Sequence, residues 1–289
     1  MKTLREYIAY AEEQKKGIGH FNIATIDMFW AVVNGAKQAS LEAGEQIPVI
    51  IGVSEGERDF VGIEQMRVLV DSIRSEGYPI FLNADHTYSV DRCKEAIDAG
   101  YDMVIFDAAK ESYEVNRDGT KAVVDYRNEI GAATLIEAEF GYIGGGSNIK
   151  DELPEGVSEA TMTDPAEAKK FVEETGVDIL APSVGNVHGM VKSGNPALNP
   201  ERVHQIRSEA GVPLVLHGGS GSSDDDFRAV IQAGVGAIHI STEMRVAYHD
   251  ALIDTLQNSD AIAPYKFLKP AREAVTDVVR ERIKLFWEV

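Results

Sequence analysis

Short apolar runs recur along this chain, and longer segments with apolar residues at helical spacing separate them. The short runs are rich in Val, Ile and Leu and too short for helices, which predicts buried strands. Eight such runs are found, at residues 17–23, 47–52, 80–84, 103–106, 133–138, 177–181, 213–216 and 237–240. Each is followed by a helical pattern or by a turn rich in glycine.

The predicted helices cover residues 3–16, 27–43, 63–75, 90–99, 115–129, 165–174, 200–210 and 224–233. Several of them end at a glycine, which adopts the left-handed conformation that terminates a helix. Strands that are apolar throughout are typical of a parallel sheet with both faces covered. An open sheet of this size would have edge strands with polar alternation. The pattern therefore predicts the α/β class and a closed (β/α)8 TIM barrel.

Two segments interrupt the alternation. Residues 141–163 are rich in Gly and acids without an apolar period, which predicts a mobile loop over the active site. Residues 265–286 have apolar positions at helical spacing, which predicts an extra C-terminal helix that must pack on something. Since barrels of roughly 250 residues form one domain, residues 1–289 are predicted to be a single domain.

Composition narrows the classes of function. A formal net charge of -19 argues against nucleic acid or an anionic membrane as a partner, and an anionic substrate would need a local basic pocket. The one cysteine, Cys93, lies in a predicted helix and is expected to be a core thiol, without a disulfide or thiolate metal cluster. Charged residues near the start and the lack of a long apolar window predict a cytoplasmic protein.

Polar residues follow the predicted strands and would share one rim of the barrel. Asp85 and His86 follow the third strand, and an extended strand would point these neighbours to different sides. A single histidine at such a place is most simply a loop or capping residue. His86, His188 and His217 follow strands three, six and seven, however, and three imidazoles leave the open position that a catalytic zinc requires. The remaining polar residues at strand ends are Asn22, Ser54, Asp107, Glu137, Glu139 and His239.

The other histidines have structural interpretations. His20 lies within the first strand and is expected to be a satisfied core histidine, whereas His204 and His249 are expected on helix surfaces.

A glycine-rich turn at 217–221 follows the seventh strand, and a helix begins just after the eighth. In barrels these two loops form a phosphate site from backbone N–H groups and a helix N-terminus. Ser220, Thr242 and Arg245 are available there to phosphate oxygens. Residues 54–58, after the second strand, are most simply interpreted as an exposed charged loop, and the alternative is that they add polar contacts to the site.

Together these motifs resemble a known family. The Asp85–His86 pair and the runs at 137–145 (EAEFGYIGG), 184–189 (VGNVHG), 216–220 (LHGGS) and 269–273 (KPARE) are similar to class II, metal-dependent fructose-bisphosphate aldolases and their ketose-bisphosphate relatives. The resemblance covers nearly the whole chain. It implies a lyase in which Asp85 is the catalytic acid/base and His86, His188 and His217 hold Zn²⁺.

The same resemblance implies further roles. Asp107 and Glu137 would flank the metal and offer it an alternative position. One phosphate would be bound near a monovalent cation, Na⁺ or K⁺. The residues implied in binding substrate and phosphate are Asn22, Ser54, Gly189, Lys192, Gly218, Ser220, His239, Ser241, Thr242 and Arg245.

The chain departs from the family at three places. The glutamate of the loop that commonly protonates the enediolate falls near Ser147, so Asp151 or Glu152 is expected to replace it, with Glu155 or water as the alternatives. His239 and Ser241 stand where an Asn and an Asp or Asn are usual. An arginine that reaches the far phosphate in some members aligns with Tyr265, beside Lys266. These changes leave the identity of the substrate open more than the class of reaction.

The leading hypothesis is zinc-dependent, reversible cleavage of fructose 1,6-bisphosphate to dihydroxyacetone phosphate and glyceraldehyde 3-phosphate, a step of glycolysis and gluconeogenesis. The alternatives are an aldolase for tagatose bisphosphate or another phosphorylated ketose, and a non-catalytic phosphosugar-binding protein. A metal-dependent hydrolase is disfavoured because no His-x-His pair follows the first strand. The apolar C-terminal helix suggests a homodimer or homotetramer.

Overall fold

The computed structural model describes residues 2–288, and its centre is a closed barrel of eight parallel strands. All strand residues are buried except His86 and Phe140, which are half-buried. Strand β1 pairs with both β2 and β8, which closes the barrel in the order β1-β8-β7-β6-β5-β4-β3-β2. The strands are β1 (Ile18–Asn22), β2 (Val49–Val53), β3 (Ile80–Thr87), β4 (Met103–Phe106), β5 (Leu135–Phe140), β6 (Ile179–Pro182), β7 (Leu214–Leu216) and β8 (Val235–Ile240). The predicted (β/α)8 barrel is thus confirmed.

Helices surround the barrel and confirm the predicted alternation. In the described part of the chain they are α1 (Leu4–Glu13), α2 (Ile26–Ala43), α3 (Glu55–Val61), α4 (Ile63–Arg74), α5 (Val90–Asp98), α6 (Tyr113–Glu129), α7 (Pro165–Thr175), α8 (Pro200–Ala210), α9 (Asp224–Ala233), α10 (Thr242–Asn258), α11 (Pro264–Phe267) and α12 (Lys269–Trp287). None of these helices is long and apolar enough to cross a membrane. Cys93 is buried, whereas His204 and His249 are exposed, all three as expected.

Local chemistry sets the helix ends. Thr3 forms a capping box with Glu6 at the start of α1, and Ser, Asp and Asn side chains cap later helices. Helices α7 and α8 end at Gly176 and Gly211, with φ of 70° and 72°. This left-handed conformation carries no steric cost for glycine, so each helix stops just before its strand.

The prediction of an exposed charged loop at residues 54–58 is wrong. Ser54 precedes α3, and Glu57 and Arg58 are buried. Charged side chains are buried where partners meet them, and the ends of β2 and β3 supply such partners here. Arg58 donates to the carbonyls of Val53 and Asp85, which a reading of local charge does not anticipate.

Residues 141–163 contain more regular secondary structure than their sequence predicts. A short strand, Ile149–Lys150, pairs in parallel with Met190–Val191, and a 3-10 turn covers Glu159–Thr161. These elements give the segment backbone partners outside the barrel. The predicted mobility of this loop stays a prediction.

The extra C-terminal helix is present as α12, with the short α11 before it. It packs against α2 and α10, and Val275, Val279, Ile283 and Phe286 are buried. Its apolar face is therefore covered within the same chain, and the reason given for a dimer no longer holds. Gly35 permits this contact, because a Cβ there would lie 2.8 Å from Thr276 O and 2.9 Å from Val279 Cβ.

Gly35→Ala is expected to reduce the free energy of unfolding by about 1–3 kcal/mol, because the added methyl forces α2 and α12 apart. The measurement is the urea midpoint at fixed protein concentration. Gly56→Ala is the matched control, since a Cβ at Gly56 meets no atom of residues 2–288 within 4 Å, and it should not lower the midpoint. Equal midpoints for Gly35→Ala and the wild type would show that this close contact does not exist.

Candidate active site

A cavity of about 210 Å³ opens at the carboxyl ends of the barrel strands. Most of the predicted site residues line it, but Glu137, Asp151, Glu152 and Lys192 do not. Glu139, which was expected on this rim but given no role, lines the cavity too. Lining residues that were not predicted include Lys110, Tyr88 and Tyr142. In a parallel barrel this end of the strands carries the loops, so the location agrees with the sequence prediction.

Asp85 and His86 both line the cavity, although an extended strand would turn them to different sides. The pairing of β3 with β4 shifts register between Ala84 and Thr87, and His86 has a φ of +38°. Such an irregularity re-aims side chains at the end of a strand. The expectation that these neighbours point apart is therefore wrong, and a local bulge is the reason.

The three predicted histidines, His86, His188 and His217, lie together, with ring centroids 4.8–5.9 Å apart. In each ring one nitrogen donates to an oxygen. The donors and acceptors are His86 Nδ1 and Asp107 Oδ2 at 2.8 Å, His188 Nδ1 and Gly144 O at 3.0 Å, and His217 Nε2 and Glu137 Oε1 at 2.6 Å. The opposite nitrogen of each ring remains available to a metal, and an oxygen behind the ring is the usual support of a metal-ligating histidine.

Glu139 offers a carboxylate oxygen to all three of these histidines. One potential ligand atom from each of the four residues lies within 4.8 Å of the others. Glu139 Oε2 and His217 Nδ1 are buried, 3.7 Å apart, and lack a hydrogen-bond partner within residues 2–288. Three imidazoles and one carboxylate are a donor set that suits Zn²⁺.

Asp107 and Glu137 were predicted to flank the metal, and the structure places both against the far side of the imidazoles. Glu137 and Glu139 share one face of β5, because side chains two apart in a strand point the same way. Glu139 lies about 7 Å nearer the mouth, at a rise of about 3.3 Å per residue. The spacing of two glutamates was visible in the sequence, but the layer that each occupies was not.

The protonation of this cluster depends on burial and on neighbouring charge. Burial raises the pKa of Glu139 to about 8, and Asp107 contributes to the increase. Burial lowers the pKa of His188 to about 3. Burial also opposes the charge on His86, but Asp85, Asp107 and Glu139 outweigh it and raise the pKa of His86 to about 10. The buried carboxylates therefore favour positive charge at this site. A bound divalent cation would supply that charge.

Asp85 is only 1% exposed, and its two carboxylate oxygens face different side chains. Asn22 Nδ2 donates to Oδ2 at 2.8 Å, and His239 Nδ1 lies 3.4 Å from Oδ1. Burial raises the pKa of Asp85, but His86 and His239 more than offset this and keep the pKa well below its ordinary value. An ionised carboxylate therefore lies beside the histidine cluster, with Oδ2 at 3.8 Å from His86 Nε2.

His239 was predicted to contact substrate, and it does line the cavity. Its ring is stacked between His20, at a centroid distance of 3.4 Å, and His217, at 4.0 Å. His20 is a core residue as expected, and its Nε2 accepts from Asn83 at 3.1 Å. Nδ1 of His20 has no hydrogen-bond partner in the described chain, so only one nitrogen of this ring is hydrogen-bonded.

The same cavity is lined by several of the residues predicted to bind phosphate, namely Gly189, Gly218, Ser220, Ser241, Thr242 and Arg245. Ser220 Oγ accepts from the backbone N–H groups of Ser241 and Glu243, at 3.3 Å each, which ties the turn after β7 to the start of α10. Gly218 has a φ of +60°, and a Cβ there would lie 2.5 Å from Val187 O, so the turn requires glycine.

The two acids predicted to act from the loop lie outside the cavity. The Asp151 side chain is 84% exposed and pairs with Lys192 at 2.7 Å, and Glu152 is exposed as well. Ser147 and the glycines before it line the cavity instead. Tyr265 and Lys266, at the position of the far-phosphate arginine, are exposed and do not line it either.

Comparison with known proteins agrees with this geometry. A family model described as "Fructose-bisphosphate aldolase class-II" matches residues 2–289. A fructose-bisphosphate aldolase of Staphylococcus aureus (strain Mu50) is 36% identical over 289 residues, which covers 98% of this chain and 96% of that one. The corresponding enzyme of Geobacillus stearothermophilus is 33% identical over 290 residues, with the same coverage.

Two solved structures are also similar to this chain. The YdjI aldolase from Escherichia coli K12 superposes with a TM-score of 0.82 at 31% identity, over 98% of this chain and 96% of that one. A protein titled a putative fructose-1,6-biphosphate aldolase, from Coccidioides immitis, has a TM-score of 0.84 at 24% identity, over 98% and 95%. The second likeness concerns the fold alone.

Arg58→Met is expected to reduce the free energy of unfolding by about 2–4 kcal/mol, because buried oxygens lose their donor. Arg58 donates to Val53 O at 2.9 Å, Asp85 O at 3.2 Å and Thr87 Oγ1 at 2.9 Å. Denaturant titration measures the change. Arg228→Met, at an exposed residue that pairs with the nearby Asp225, should alter stability by no more than about 0.5 kcal/mol. If both variants unfold at the same denaturant concentration, Arg58 does not support the end of β3.

Proposed function

This chain belongs to the class II fructose-bisphosphate aldolase family, and from that membership we propose that it catalyses the zinc-dependent, reversible cleavage of fructose 1,6-bisphosphate. The products are dihydroxyacetone phosphate and glyceraldehyde 3-phosphate. The family makes the protein a lyase. The metal, the substrate and the residue roles belong to the proposal.

The observation that carries the proposal is the arrangement of His86, His188 and His217, each oriented by an oxygen behind its ring, around the buried Glu139. These four side chains would hold Zn²⁺. When bound, Zn²⁺ supplies Lewis-acid stabilisation of the negative charge that carbon–carbon cleavage leaves on the ketone half. Asp107 and Glu137 act behind His86 and His217 in this proposal.

Asp85 is the proposed general base. Cleavage requires removal of the proton from the C4 hydroxyl, and condensation requires its return. Asp85 is suited to this role because its pKa lies below the ordinary value, which keeps the carboxylate ionised and able to accept a proton, and because its Oδ2 accepts from Asn22. A base that is oriented before the substrate arrives contributes to catalysis by position as well as by charge.

The phosphate of the dihydroxyacetone half would occupy the turn after β7 and the N-terminus of α10. Backbone N–H groups at such a turn and helix end bind anions. Arg245 is the cationic side chain of this site, and Gly189, Gly218, Ser220 and Thr242 line it. Lys192 would have to leave Asp151 to join them. A monovalent cation beside the phosphate rests on the family resemblance.

A second candidate is an aldolase for tagatose bisphosphate or another phosphorylated ketose. The exposed Tyr265, at the position of the far-phosphate arginine, favours this alternative. A non-catalytic phosphosugar-binding protein is disfavoured by the ionised Asp85 beside an intact donor set. Because charged sugar phosphates do not cross a bilayer unaided, we also propose a cytoplasmic location. A homodimer or homotetramer is still proposed, although the covered apolar face of α12 no longer argues for it.

Replacing His86, His188 or His217 with Ala should remove most of the bound zinc, because each histidine supplies one of the four proposed ligands. Asp85→Ala should keep zinc near the wild-type ratio and lose turnover, since the base is not a ligand. Zinc content by atomic emission and a coupled cleavage assay with and without chelator measure the two effects.

Full zinc in two of the three histidine variants would remove the proposed metal site. An unchanged kcat in Asp85→Ala would remove Asp85 from the mechanism. Equal cleavage of tagatose bisphosphate and fructose bisphosphate would favour the second candidate.

The loop over the site should provide the acid that protonates the enediolate, and we propose Asp151 or Glu152 for this step. Both lie outside the cavity, so the loop would have to close, with Gly144 and Gly146 as hinges at φ of 84° and 77°. Asp151→Ala and Glu152→Ala, alone and together, should slow exchange of deuterium into dihydroxyacetone phosphate. Exchange at the wild-type rate in all three would assign this proton to Glu155 or to water.

A further inference from the structure

Glu57 is a buried carboxylate between the phosphate site and the general base, and it is 8% exposed. Its Oε1 accepts from Arg245 Nη2 at 2.7 Å. Its Oε2 accepts from the Ser54 backbone N–H at 2.8 Å and from Asn22 Nδ2 at 3.3 Å. Both oxygens are therefore occupied, and each one faces a different functional residue.

Asn22 connects Glu57 to Asp85. Its amide nitrogen carries two hydrogens, and the two acceptors within reach are Glu57 Oε2 and Asp85 Oδ2, at 3.3 Å and 2.8 Å. The amide group is therefore shared by two carboxylates. A rotation of Glu57 changes the position of the donor that holds Asp85.

Charge indicates that Glu57 is not present to strengthen phosphate binding. Arg245 is the cationic side chain of the phosphate site, and the ion pair with Glu57 neutralises it. A carboxylate beside an anion site repels the anion, at an energetic cost that grows as the site is buried. Glu57 must therefore serve a purpose other than phosphate binding, and its hydrogen bond from Asn22 indicates that purpose.

We propose that Glu57 is a positioning residue that couples Arg245 to Asp85 through Asn22. The inference rests on the proposed function, because it takes Arg245 as a phosphate ligand and Asp85 as the base. When a substrate phosphate holds the guanidinium of Arg245, the guanidinium fixes Glu57, and Glu57 fixes the shared amide of Asn22. Phosphate binding thereby restrains these contacts, which are already formed without substrate, and keeps the oriented base in place. The substrate's phosphate then contributes to turnover as well as to affinity.

Glu57→Gln tests this coupling with little change of shape. The amide oxygen can still accept from Ser54 and Asn22, but the amide nitrogen cannot accept from Arg245. We expect kcat for fructose 1,6-bisphosphate to fall about tenfold or more, because small displacements of a catalytic group are costly. We expect the inhibition constant of inorganic phosphate to stay the same or to decrease, because Arg245 is no longer neutralised.

These opposite effects separate positioning from general damage. A variant that merely distorts the site would lose affinity for phosphate together with turnover. In a double-mutant cycle, Arg245→Ala should lower kcat less in the Glu57→Gln background than in the wild type. The control is Glu64→Gln, an exposed residue of α4 with the same change of charge, and it should leave kcat, zinc content and phosphate inhibition unchanged.

Glu57→Asp provides a second variant if Glu57→Gln fails to fold. It keeps the charge but is too short to contact Arg245 and Asn22 at once, so kcat should fall while phosphate inhibition stays at the wild-type level. An unchanged kcat in a folded, zinc-loaded variant would overturn the proposal, and so would a parallel loss of kcat and phosphate affinity. If the wild type itself shows no chelator-sensitive cleavage, the proposed function fails instead.

Discussion

The burial of several carboxylates among imidazoles at one end of the barrel is the constraint on which the rest of the site depends. Asp85, Glu137 and Glu139 are each 3% exposed or less. A buried carboxylate costs several kcal/mol unless charge and hydrogen bonds compensate for it. Glu137 Oε1 accepts from His217 and Asp85 Oδ2 accepts from Asn22, but Glu137 Oε2, Asp85 Oδ1 and Glu139 Oε2 are buried without a hydrogen-bond partner in the described chain. A cation held by Glu139 and the three histidines would balance this excess, so the site that costs stability is also the one suited to metal chemistry.

The residues that support this cluster come from elements outside the barrel as well as from the strands. Helix α3 places Arg58 against the backbone around the bulge at His86, and it places Glu57 between Asn22 and Arg245. On the other side, the stacked rings of His20 and His239 fill the space next to His217. These contacts fix the rotamers of groups that would react, and a reacting group held in advance loses less entropy at the moment of reaction.

The opposite end of the barrel has a different organisation, and its charges are paired with each other. Asp102, just before β4, accepts from the Leu82 backbone N–H and pairs with Arg74 at 2.6 Å. Asp178, just before β6, accepts from the Ile136 backbone N–H and pairs with Arg127 at 2.7 Å. An aspartate paired with an arginine thus joins β3 to β4, and a second such aspartate joins β5 to β6. Such pairing serves stability and leaves the carboxyl ends of the strands free for chemistry.

The sequence by itself determined the barrel, because each barrel strand and most of the helices follow from a local period of apolar residues, although α3 does not. It also placed Asp85, His86, His188 and His217 on one rim, because parallel strands end on the same side. Only the tertiary structure shows that a Glu139 oxygen lies within ligand distance of all three histidines, whereas Glu137 contacts His217 from the other side of its ring, since residues two apart share a face and the layer depends on the neighbouring strands. It alone showed that a bulge turns Asp85 and His86 into one cavity, that Glu57 and Arg58 are buried, and that α12 packs on α2. Each of these depends on contacts between residues distant in sequence, and no local pattern encodes the partner that a charged or apolar side chain meets.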